Sequence, residues 1–508
     1  MLKKLQGLLS DRRVVGGALL LLQAAGMIWL VTFLSWRWMW IYRVCHIISA
    51  VMVIWLIRKY DNPAYKIPWI VLILLFPIFG GLFYLLWGNT PFNHARTRHR
   101  QTLQHPDFSG APVAPASEAL SVALPRHTRG ARYIENESAM PVWADTVTNY
   151  YPVGEKQFSA MCEALEQADR FIFMEYFIIE EGTMWNTLLD ILVRKVKAGV
   201  EVRVLYDDAG CLSTLPHAYD QYLCGLGIRA VRFNRFIPTL NTYLNNRDHR
   251  KICVVDGNIG FMGGINLADE YINVKVRFGH WKDTGVRLAG AGVANMTEMF
   301  LQMWEYATKE QFYDRERYMP TEVRCGDGYV QPFYDSPLDD RNVGETAFMH
   351  IINRAQRYVY ITTPYLILDN EMITALTVAA QSGVDVRIVT PGIPDKKAVY
   401  QVTRSYYLQL CRAGVKIYEY RPGFLHAKMI VSDDDVAIVG TMNMDFRSFF
   451  LHFECGTLLY GGETITEIRN DILETIGMSR EVDGDWFRNV PWISSIIGSI
   501  LRLFAPML

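Results

Sequence analysis

The chain has 508 residues, half of them hydrophobic, and a formal net charge of −1. This length predicts two or three domains, and the near-zero net charge argues against nucleic acid as the main ligand. The eight cysteines are scattered without a Cys-x-x-Cys pair, so the sequence predicts reduced, buried cysteines in a cytosol-facing protein rather than a disulfide framework or a zinc site.

The hydrophobic excess is concentrated in residues 1–92, which we interpret as a membrane region with two or three transmembrane helices. Residues 14–36 carry no charge and are long enough to span a bilayer; they lack the small-residue cleavage site of a signal peptide. Residues 38–57, which contain Arg43, and the uncharged residues 67–87 are the other candidates. Basic residues flank the candidates at several points, so the positive-inside rule leaves the topology open.

Beyond the membrane region, the chain is predicted to be a tandem repeat. Strands alternate with amphipathic helices, which predicts two similar α/β sandwich halves, related by a pseudo-two-fold axis and preceded by the transmembrane helices. The similar segments are 171–177 with 359–365, and 198–204 with 382–388. The predicted parts are a Pro-rich linker over 93–132, a first half over 133–325, a second half over 326–490 and an amphipathic tail over 491–508. The tail either lies on the membrane surface or closes the domain core.

Each half contains a His-x-Lys-x4-Asp motif followed by an Asn at the same offset. The two sets are His249, Lys251, Asp256 and Asn266, and His426, Lys428, Asp433 and Asn443. One such motif has a chance rate of roughly a few per cent in a chain of this length, and the matched second copy makes chance a poor explanation. The apolar run after each Lys predicts a short buried strand, on which His and Lys share one face. Facing halves would bring the two histidines into one site.

Paired histidines suit a two-step displacement at phosphorus. One attacks to form a phosphohistidine and the other protonates the leaving alcohol. The fixed donors Lys251, Lys428, Asn266 and Asn443 would hold the non-bridging oxygens. With four such donors and no carboxylate cluster of metal-ligand spacing, we predict neither a metal nor another cofactor.

Four carboxylates accompany this chemistry. A nucleophilic imidazole needs its second nitrogen fixed, usually by a carboxylate. Asp283 and Glu454, which each precede an apolar strand, are the candidates, with an ordinary surface carboxylate as the alternative. Asp256 and Asp433 belong to the motif's catalytic set, but they lie at strand ends and we interpret them as structural braces.

The paired motif resembles that of the phospholipase D superfamily, and the chain is similar more narrowly to the bacterial cardiolipin synthases. Segments 77–88, 363–365, 423–428 and 443–448 carry the second resemblance. It implies conversion of two phosphatidylglycerol molecules into cardiolipin and glycerol through a phosphatidyl-histidine intermediate. It also implies a multi-pass protein of the bacterial plasma membrane, with the bilayer as partner and the catalytic part facing the cytoplasm, and it supports Asp283 and Glu454 as the carboxylates behind the histidines.

Three residues depart from the family pattern. His452 stands where the family often has Asn. Gly264 and Thr441 stand where it often has Ser, and we expect a backbone donor to serve there.

Other functions remain open at this stage. The same motif serves a membrane phospholipase D, or a phosphatidyltransferase that uses water or another alcohol as acceptor. A catalytically silent membrane scaffold belongs to another class, but the completeness of both motifs weighs against it. A nuclease is disfavoured because there is no basic excess. The oligomeric state and the choice of nucleophile also remain open.

Overall fold

A computed structural model describes residues 25, 39–59, 63–76, 79–85, 106, 108, 110–235, 246–339 and 341–505. These residues belong to two compact units, one up to residue 92 and a larger one from residue 93 onward. The free cysteines in the described residues include all eight of the chain.

The N-terminal unit is helical. Its helices span Met39–Ile57, Pro63–Leu75 and Phe79–Phe83, and Trp69 packs against Phe83 and Tyr84 at ring-centroid distances of 5.6 and 5.4 Å. The first helix lies within segment 38–57, for which a membrane span was predicted. The single helix predicted over 67–87 is instead divided between the other two.

Membrane spans can be assessed only where this unit is described. Pro77, which has no backbone N–H to donate, stands in the sequence between the two shorter helices. Among the described residues, no helix combines the length and the apolar character that a membrane crossing requires. The span predicted over 14–36 lies outside the described residues, except for residue 25.

The first half of the larger unit contains a seven-stranded mixed sheet. The strands of this half are β1 (Thr146–Tyr151), β2 (Phe171–Tyr176), β3 (Glu201–Asp207), β4 (Arg229–Phe233), β5 (Lys251–Val255), β6 (Ile259–Gly263), β7 (His280–Lys282) and β8 (Gly285–Gly290). The sheet order is β1-β8-β6-β5-β2-β3-β4, and β7 lies outside it. The α-helices of this half are Gly154–Glu166, Thr183–Lys197, Tyr219–Gly225 and Val293–Thr308. Residues from Val293 to Glu305 of the last helix are all buried.

The second half repeats this arrangement. Its strands are β9 (Tyr329–Asp335), β10 (Tyr358–Thr362), β11 (Asp385–Pro391), β12 (Lys416–Tyr420), β13 (Gly423–Leu425), β14 (Met429–Ser432), β15 (Val436–Gly440), β16 (Glu454–Tyr460) and β17 (Ser479–Glu481). The α-helices are Val343–Arg354, Asn370–Gln381, Lys397–Arg412, Phe446–Phe450, Glu463–Gly477, Gly484–Arg488 and Trp492–Leu503. The last of these lies within the predicted amphipathic tail.

The two sheets have the same order. Reversed for comparison, the second runs β9-β16-β15-β14-β10-β11-β12-β17, so each strand of the first sheet has a counterpart and β17 is an addition. Strands β2, β3 and β4 are parallel, as are β10, β11 and β12, while the other neighbours are antiparallel. The prediction of two similar α/β halves is confirmed. A parallel pairing of β7 with β13 joins them.

The predicted linker is partly folded. Helices Ser117–Ala123 and Thr128–Ser138 begin inside the segment 93–132. They bury Leu120, Ala131 and Ile134. The assignment of this segment as a linker is therefore wrong from about residue 117 onward. Its Pro-rich composition obscured the apolar residues that the helices bury.

Candidate active site

The two motif strands occupy equivalent central positions. Strand β5 lies between β6 and β2, and β14 lies between β15 and β10; both strands are buried throughout. The Nζ of Lys251 donates to the backbone carbonyl of His249 at 2.6 Å, and Lys428 makes the same bond to His426. An ammonium has three N–H groups, so each lysine has further donors for an anionic ligand.

Each histidine is paired with a carboxylate from the other half of the larger unit. The Nδ1 of His249 lies 2.9 and 3.0 Å from the two carboxylate oxygens of Glu454. The Nδ1 of His426 lies 2.6 Å from Asp283 Oδ2. Both carboxylates are fully buried. These contacts fix the orientation of each ring and leave its Nε2 as the atom available for chemistry.

The backbone explains why the pairs cross between halves. The N–H of His249 donates to the carbonyl of Phe453 at 2.9 Å, and Phe453 is the residue before Glu454. The N–H of His426 donates to the carbonyl of Lys282 at 2.7 Å, and Lys282 is the residue before Asp283. Each carboxylate is therefore placed by main-chain hydrogen bonds beside the histidine of the opposite half.

The charges of the two motifs act on one another. Burial, followed by the charges of Lys251 and Lys428, holds the pKa of both His249 and His426 well below the usual value. The lysines of both halves thus contribute to the lowered pKa of each histidine. Burial lowers the pKa of Lys251 to about 8 and that of Lys428 to about 7, and it raises the pKa of Asp283 to about 6.

The residues that support the two carboxylates differ. Glu454 accepts a hydrogen bond from the hydroxyl of Thr441, whereas Asp283 accepts one from the backbone N–H of Thr284 at 2.8 Å. Gly264 occupies the position that corresponds to Thr441, and a Cβ there would lie 2.1 Å from Asp283 Oδ1. With the carboxylate in this position, any side chain at residue 264 would have to displace it.

The backbone donors expected at Gly264 and Thr441 are already used. The N–H of Gly264 donates to the carbonyl of Thr284 at 3.0 Å, and that of Thr441 donates to the carbonyl of Cys455 at 2.9 Å. The adjoining strands therefore take both N–H groups into main-chain pairing, and it is the hydroxyl of Thr441, not its N–H, that bonds to Glu454.

The two asparagines after the motifs have different surroundings. Asn266 accepts from the backbone N–H of Ile178 at 3.0 Å and donates to the hydroxyl of Tyr271 at 2.8 Å. The buried Oδ1 of Asn443 has no partner among the described residues. Phosphate binding by either residue remains a prediction, and Asn443 has the less committed side chain.

The two motif aspartates hold chain segments that precede other strands. The carboxylate of Asp256 accepts three backbone N–H groups, from Asp169, Arg170 and Phe171, at 2.7–2.8 Å. The carboxylate of Asp433 accepts the equivalent N–H groups of Gln356, Arg357 and Tyr358 at 2.8–3.1 Å. This geometry fits braces, and neither carboxylate is bonded to a motif histidine.

Sequence reasoning missed the surroundings of His426. The rings of Tyr271, Trp281 and Phe424 lie 5.5–5.8 Å from it, centroid to centroid. Phe177 lies 5.0 Å from His249. Trp281 lies two residues before Asp283, and Phe424 lies two residues before His426; that proximity in the sequence was the available signal.

His452 enters the site beside His249. The two ring centroids are 5.5 Å apart, and His452 Nδ1 lies 3.8 Å from Glu454 Oε1. Among the described residues, His249, His452 and Glu454 bring potential ligand atoms within 4.8 Å of one another, a set that can hold a metal ion. The sequence analysis predicted no metal because it found no carboxylate cluster of metal-ligand spacing, and His249 is remote in sequence from His452 and Glu454.

The fold and the paired site define a phospholipase D-like protein. Residues 161–304 and 348–476 match the family described as "Cardiolipin synthase, PLD-like domain", and residues 47–89 match "Phospholipase_D-nuclease N-terminal". The chain belongs to the family of PLD-like cardiolipin synthase domains.

Relatives match over most of the chain. An uncharacterized protein of Streptococcus mutans is 43% identical over 90% of this chain and 99% of its own length. A cardiolipin synthase of Geobacillus kaustophilus is 36% identical over 91% of this chain and 92% of its own length. A crystal structure of phosphatidylserine synthase from Haemophilus influenzae matches with a TM-score of 0.58 at 14% identity, covering 75% of this chain and 99% of that one. This last likeness concerns the fold alone.

Proposed function

We propose that this chain is a phosphatidyltransferase that converts two phosphatidylglycerol molecules into cardiolipin and glycerol. The observation that carries the proposal is the pair of His–Lys sets, each with a buried carboxylate on the histidine Nδ1, in a chain of the cardiolipin synthase family. Two histidines suit a reaction with two successive displacements at one phosphorus atom, because one can act as the nucleophile while the other transfers the proton.

In the first step, Nε2 of one histidine attacks the phosphorus of a phosphatidylglycerol. The bond from phosphorus to the glycerol headgroup breaks, and the other histidine gives its proton to the departing oxygen. The product is a phosphatidyl-histidine and free glycerol. The ammonium groups of Lys251 and Lys428 stabilise the negative charge on the non-bridging oxygens.

In the second step, the headgroup hydroxyl of another phosphatidylglycerol attacks the phosphatidyl-histidine. The histidine that gave up its proton takes the proton of this hydroxyl, the phosphorus–nitrogen bond breaks, and cardiolipin leaves. Both imidazoles have then returned to their starting states. The carboxylates of Glu454 and Asp283 stabilise the positive charge that each ring acquires.

We place the enzyme at the bacterial plasma membrane, as a multi-pass protein with its catalytic unit in the cytoplasm. The long uncharged segments 14–36 and 67–87 support this placement, and a lipid substrate requires access to a bilayer.

The C-terminal helix Trp492–Leu503 provides a second bilayer contact in this proposal. One face packs on the helix Lys397–Arg412, where the Arg502 guanidinium lies 3.9 Å from the centre of the Tyr406 ring. The opposite face exposes a row of large apolar residues, which are Trp492, Ile493, Ile496, Ile497 and Ile500. An amphipathic helix with tryptophan at its end is suited to the headgroup boundary of a membrane.

The test uses the purified full-length protein in detergent micelles or liposomes with phosphatidylglycerol as the sole lipid and a metal chelator present. We expect cardiolipin and glycerol in equal amounts, measured by lipid mass spectrometry and an enzymatic glycerol assay. Phosphatidic acid in place of cardiolipin would mean that water is the acceptor. No product until another alcohol is added would contradict phosphatidylglycerol as the acceptor.

A further inference from the structure

A buried cluster of metal-binding side chains lies beside His249. Glu454 Oε1 lies 2.9 Å from His249 Nδ1 and 3.8 Å from His452 Nδ1. Ligands of a tetrahedral Zn²⁺ ion, with bonds of about 2.0–2.1 Å, are separated from one another by roughly 3.3 Å. The two observed separations bracket that value, and among the described residues the potential ligand atoms of His249, His452 and Glu454 all lie within 4.8 Å of one another.

The state of His452 is an independent observation. Its side chain is 10% exposed, and neither ring nitrogen has a hydrogen-bond partner among the described residues. An unpaired buried polar group costs about 1–3 kcal/mol, so such groups in a folded protein call for an explanation. Coordination of a cation would use one of these nitrogens directly.

We propose that His249, His452 and Glu454 form an inhibitory site for a divalent ion of the Zn²⁺ type. Two imidazoles and one carboxylate, with a fourth position open, are a ligand set typical of zinc. Magnesium prefers oxygen ligands and octahedral geometry, so it does not fit this set.

Inhibition follows from the position of the proton on His249. When the ion binds the Nδ1 lone pair, the ring proton of the neutral imidazole resides on Nε2, and no proton is lost overall. The Nε2 then has no lone pair with which to attack phosphorus or accept a proton. The metal-bound ring also cannot become an imidazolium, so His249 fails both as nucleophile and as general acid.

The loss of activity rests on the proposed function, whereas metal binding does not, and the experiment measures both. The purified full-length chain, freed of metal by a chelator, is titrated with Co²⁺ and its visible ligand-field absorption is recorded. Cardiolipin synthesis is then titrated with Zn²⁺ and, separately, with Mg²⁺. The variants are His452→Asn and His452→Gln, with His217→Asn, at an exposed histidine, as the matched control. Each inhibition curve is normalised to the metal-free activity of the same variant.

We expect one tight Co²⁺ site with tetrahedral absorption in the wild type and in His217→Asn, and full inhibition by Zn²⁺ that a chelator reverses. Both His452 variants should lose the absorption, and their Zn²⁺ inhibition should weaken at least about 100-fold, since loss of even an outer partner costs about 10–100-fold in affinity. Equal inhibition of wild type and His452 variants, or the absence of the cobalt band in the wild type, would overturn the site. Failure to make cardiolipin, with the band present, would instead count against the proposed function.

Discussion

The two halves of the catalytic unit share a backbone plan but not the surroundings of their histidines. Each half supplies a His–Lys pair at the start of a central strand, with both histidines lying just before the strands Lys251–Val255 and Met429–Ser432. Each half also supplies a carboxylate for the histidine of the other half. Around His426 there are three aromatic rings and a single close carboxylate oxygen. Around His249 there are one aromatic ring, a second histidine and both oxygens of Glu454. The two halves thus share the His–Lys pair and its carboxylate but differ in the residues around the histidine. We therefore expect one histidine to act as the nucleophile and the other as the general acid.

The largest effects should come from the histidines. We expect His249→Ala and His426→Ala each to lower kcat by about 10⁴-fold or more, as removal of a nucleophile or its base does elsewhere. A phosphatidyl ester of p-nitrophenol, whose leaving group needs no proton, should restore p-nitrophenol release in only one variant, the one that lacks the general acid. Substantial cardiolipin synthesis by either variant would remove the two-histidine mechanism.

Substitution of the two carboxylates tests whether each histidine is paired with the carboxylate of the other half. Glu454→Gln and Asp283→Asn should each lower kcat by about 10²–10⁴-fold, because the imidazole loses the partner that fixes its tautomer and stabilises its charge. In NMR spectra with ¹⁵N-labelled histidine, Asp283→Asn should shift the ring signals of His426 much more than those of His249, and Glu454→Gln should do the reverse. Glu322→Gln, at an exposed site, is the control. Shifts that stay within one half would contradict the crossed pairing.

Gly264 and Thr441 occupy equivalent positions in the two halves, but we expect them to respond differently to substitution by serine. Gly264→Ser places a Cβ where only 2.1 Å separates it from Asp283 Oδ1, which should displace that carboxylate and lower kcat about 100-fold, as a misplacement of about 1 Å does. Thr441→Ser keeps the hydroxyl that bonds to Glu454 and should change kcat by less than about threefold. Steady-state kinetics of both variants decide this, and equal effects would mean that the two supports are interchangeable.

The pH dependence reports on the lysines. Burial lowers the pKa of Lys428 to about 7 and that of Lys251 to about 8, so each loses its charge as the pH rises through those values. Since the ammonium form binds the phosphate oxygens, kcat/KM should fall at least about tenfold between pH 7 and pH 9. Lys428→Arg, which stays charged, should lower the overall rate but make its alkaline decline less steep. A kcat/KM that stays constant to pH 9 in the wild type would contradict this role.

The sequence predicted the fold class and the reagents better than their pairing. Periodicity and the repeated motif were sufficient for the α/β halves, because a buried strand and its flanking turn are local features. Asp283 and Glu454 were named from the sequence and lie on the histidine Nδ1 atoms, but their exchange between halves depends on hydrogen bonds between Phe453 and His249 and between Lys282 and His426. Hydrogen bonds between residues so far apart in the chain produce no repeating pattern in the sequence from which they could be predicted.

The same limit explains two other differences. His452 became part of the site of His249 only through the packing of the two halves. The helix Thr128–Ser138 was concealed by the Pro-rich composition of the residues before it. In both cases, the contact partner lies far away in the chain: His249 contacts His452, and the side chain of Gln331 donates to the carbonyl of Ala131 in the helix.

The smallest effect on catalysis should come from Asp256 and Asp433, although both are motif residues. Each sits at a positive φ of about 55°, which Asn tolerates, so Asp→Asn removes the charge without adding backbone strain. Asp433 also pairs with Arg126 at 3.2 Å, whereas Asp256 makes no such ion pair among the described residues. We therefore expect Asp433→Asn to cost about 2 kcal/mol of stability and Asp256→Asn about 1 kcal/mol, measured as thermal midpoints in detergent. The kcat per folded molecule should stay within about twofold of the wild type. A large fall in kcat without a fall in thermal midpoint would mean that these carboxylates act on the reaction itself. Asp256 and Asp433 would then be catalytic residues in both halves rather than structural braces.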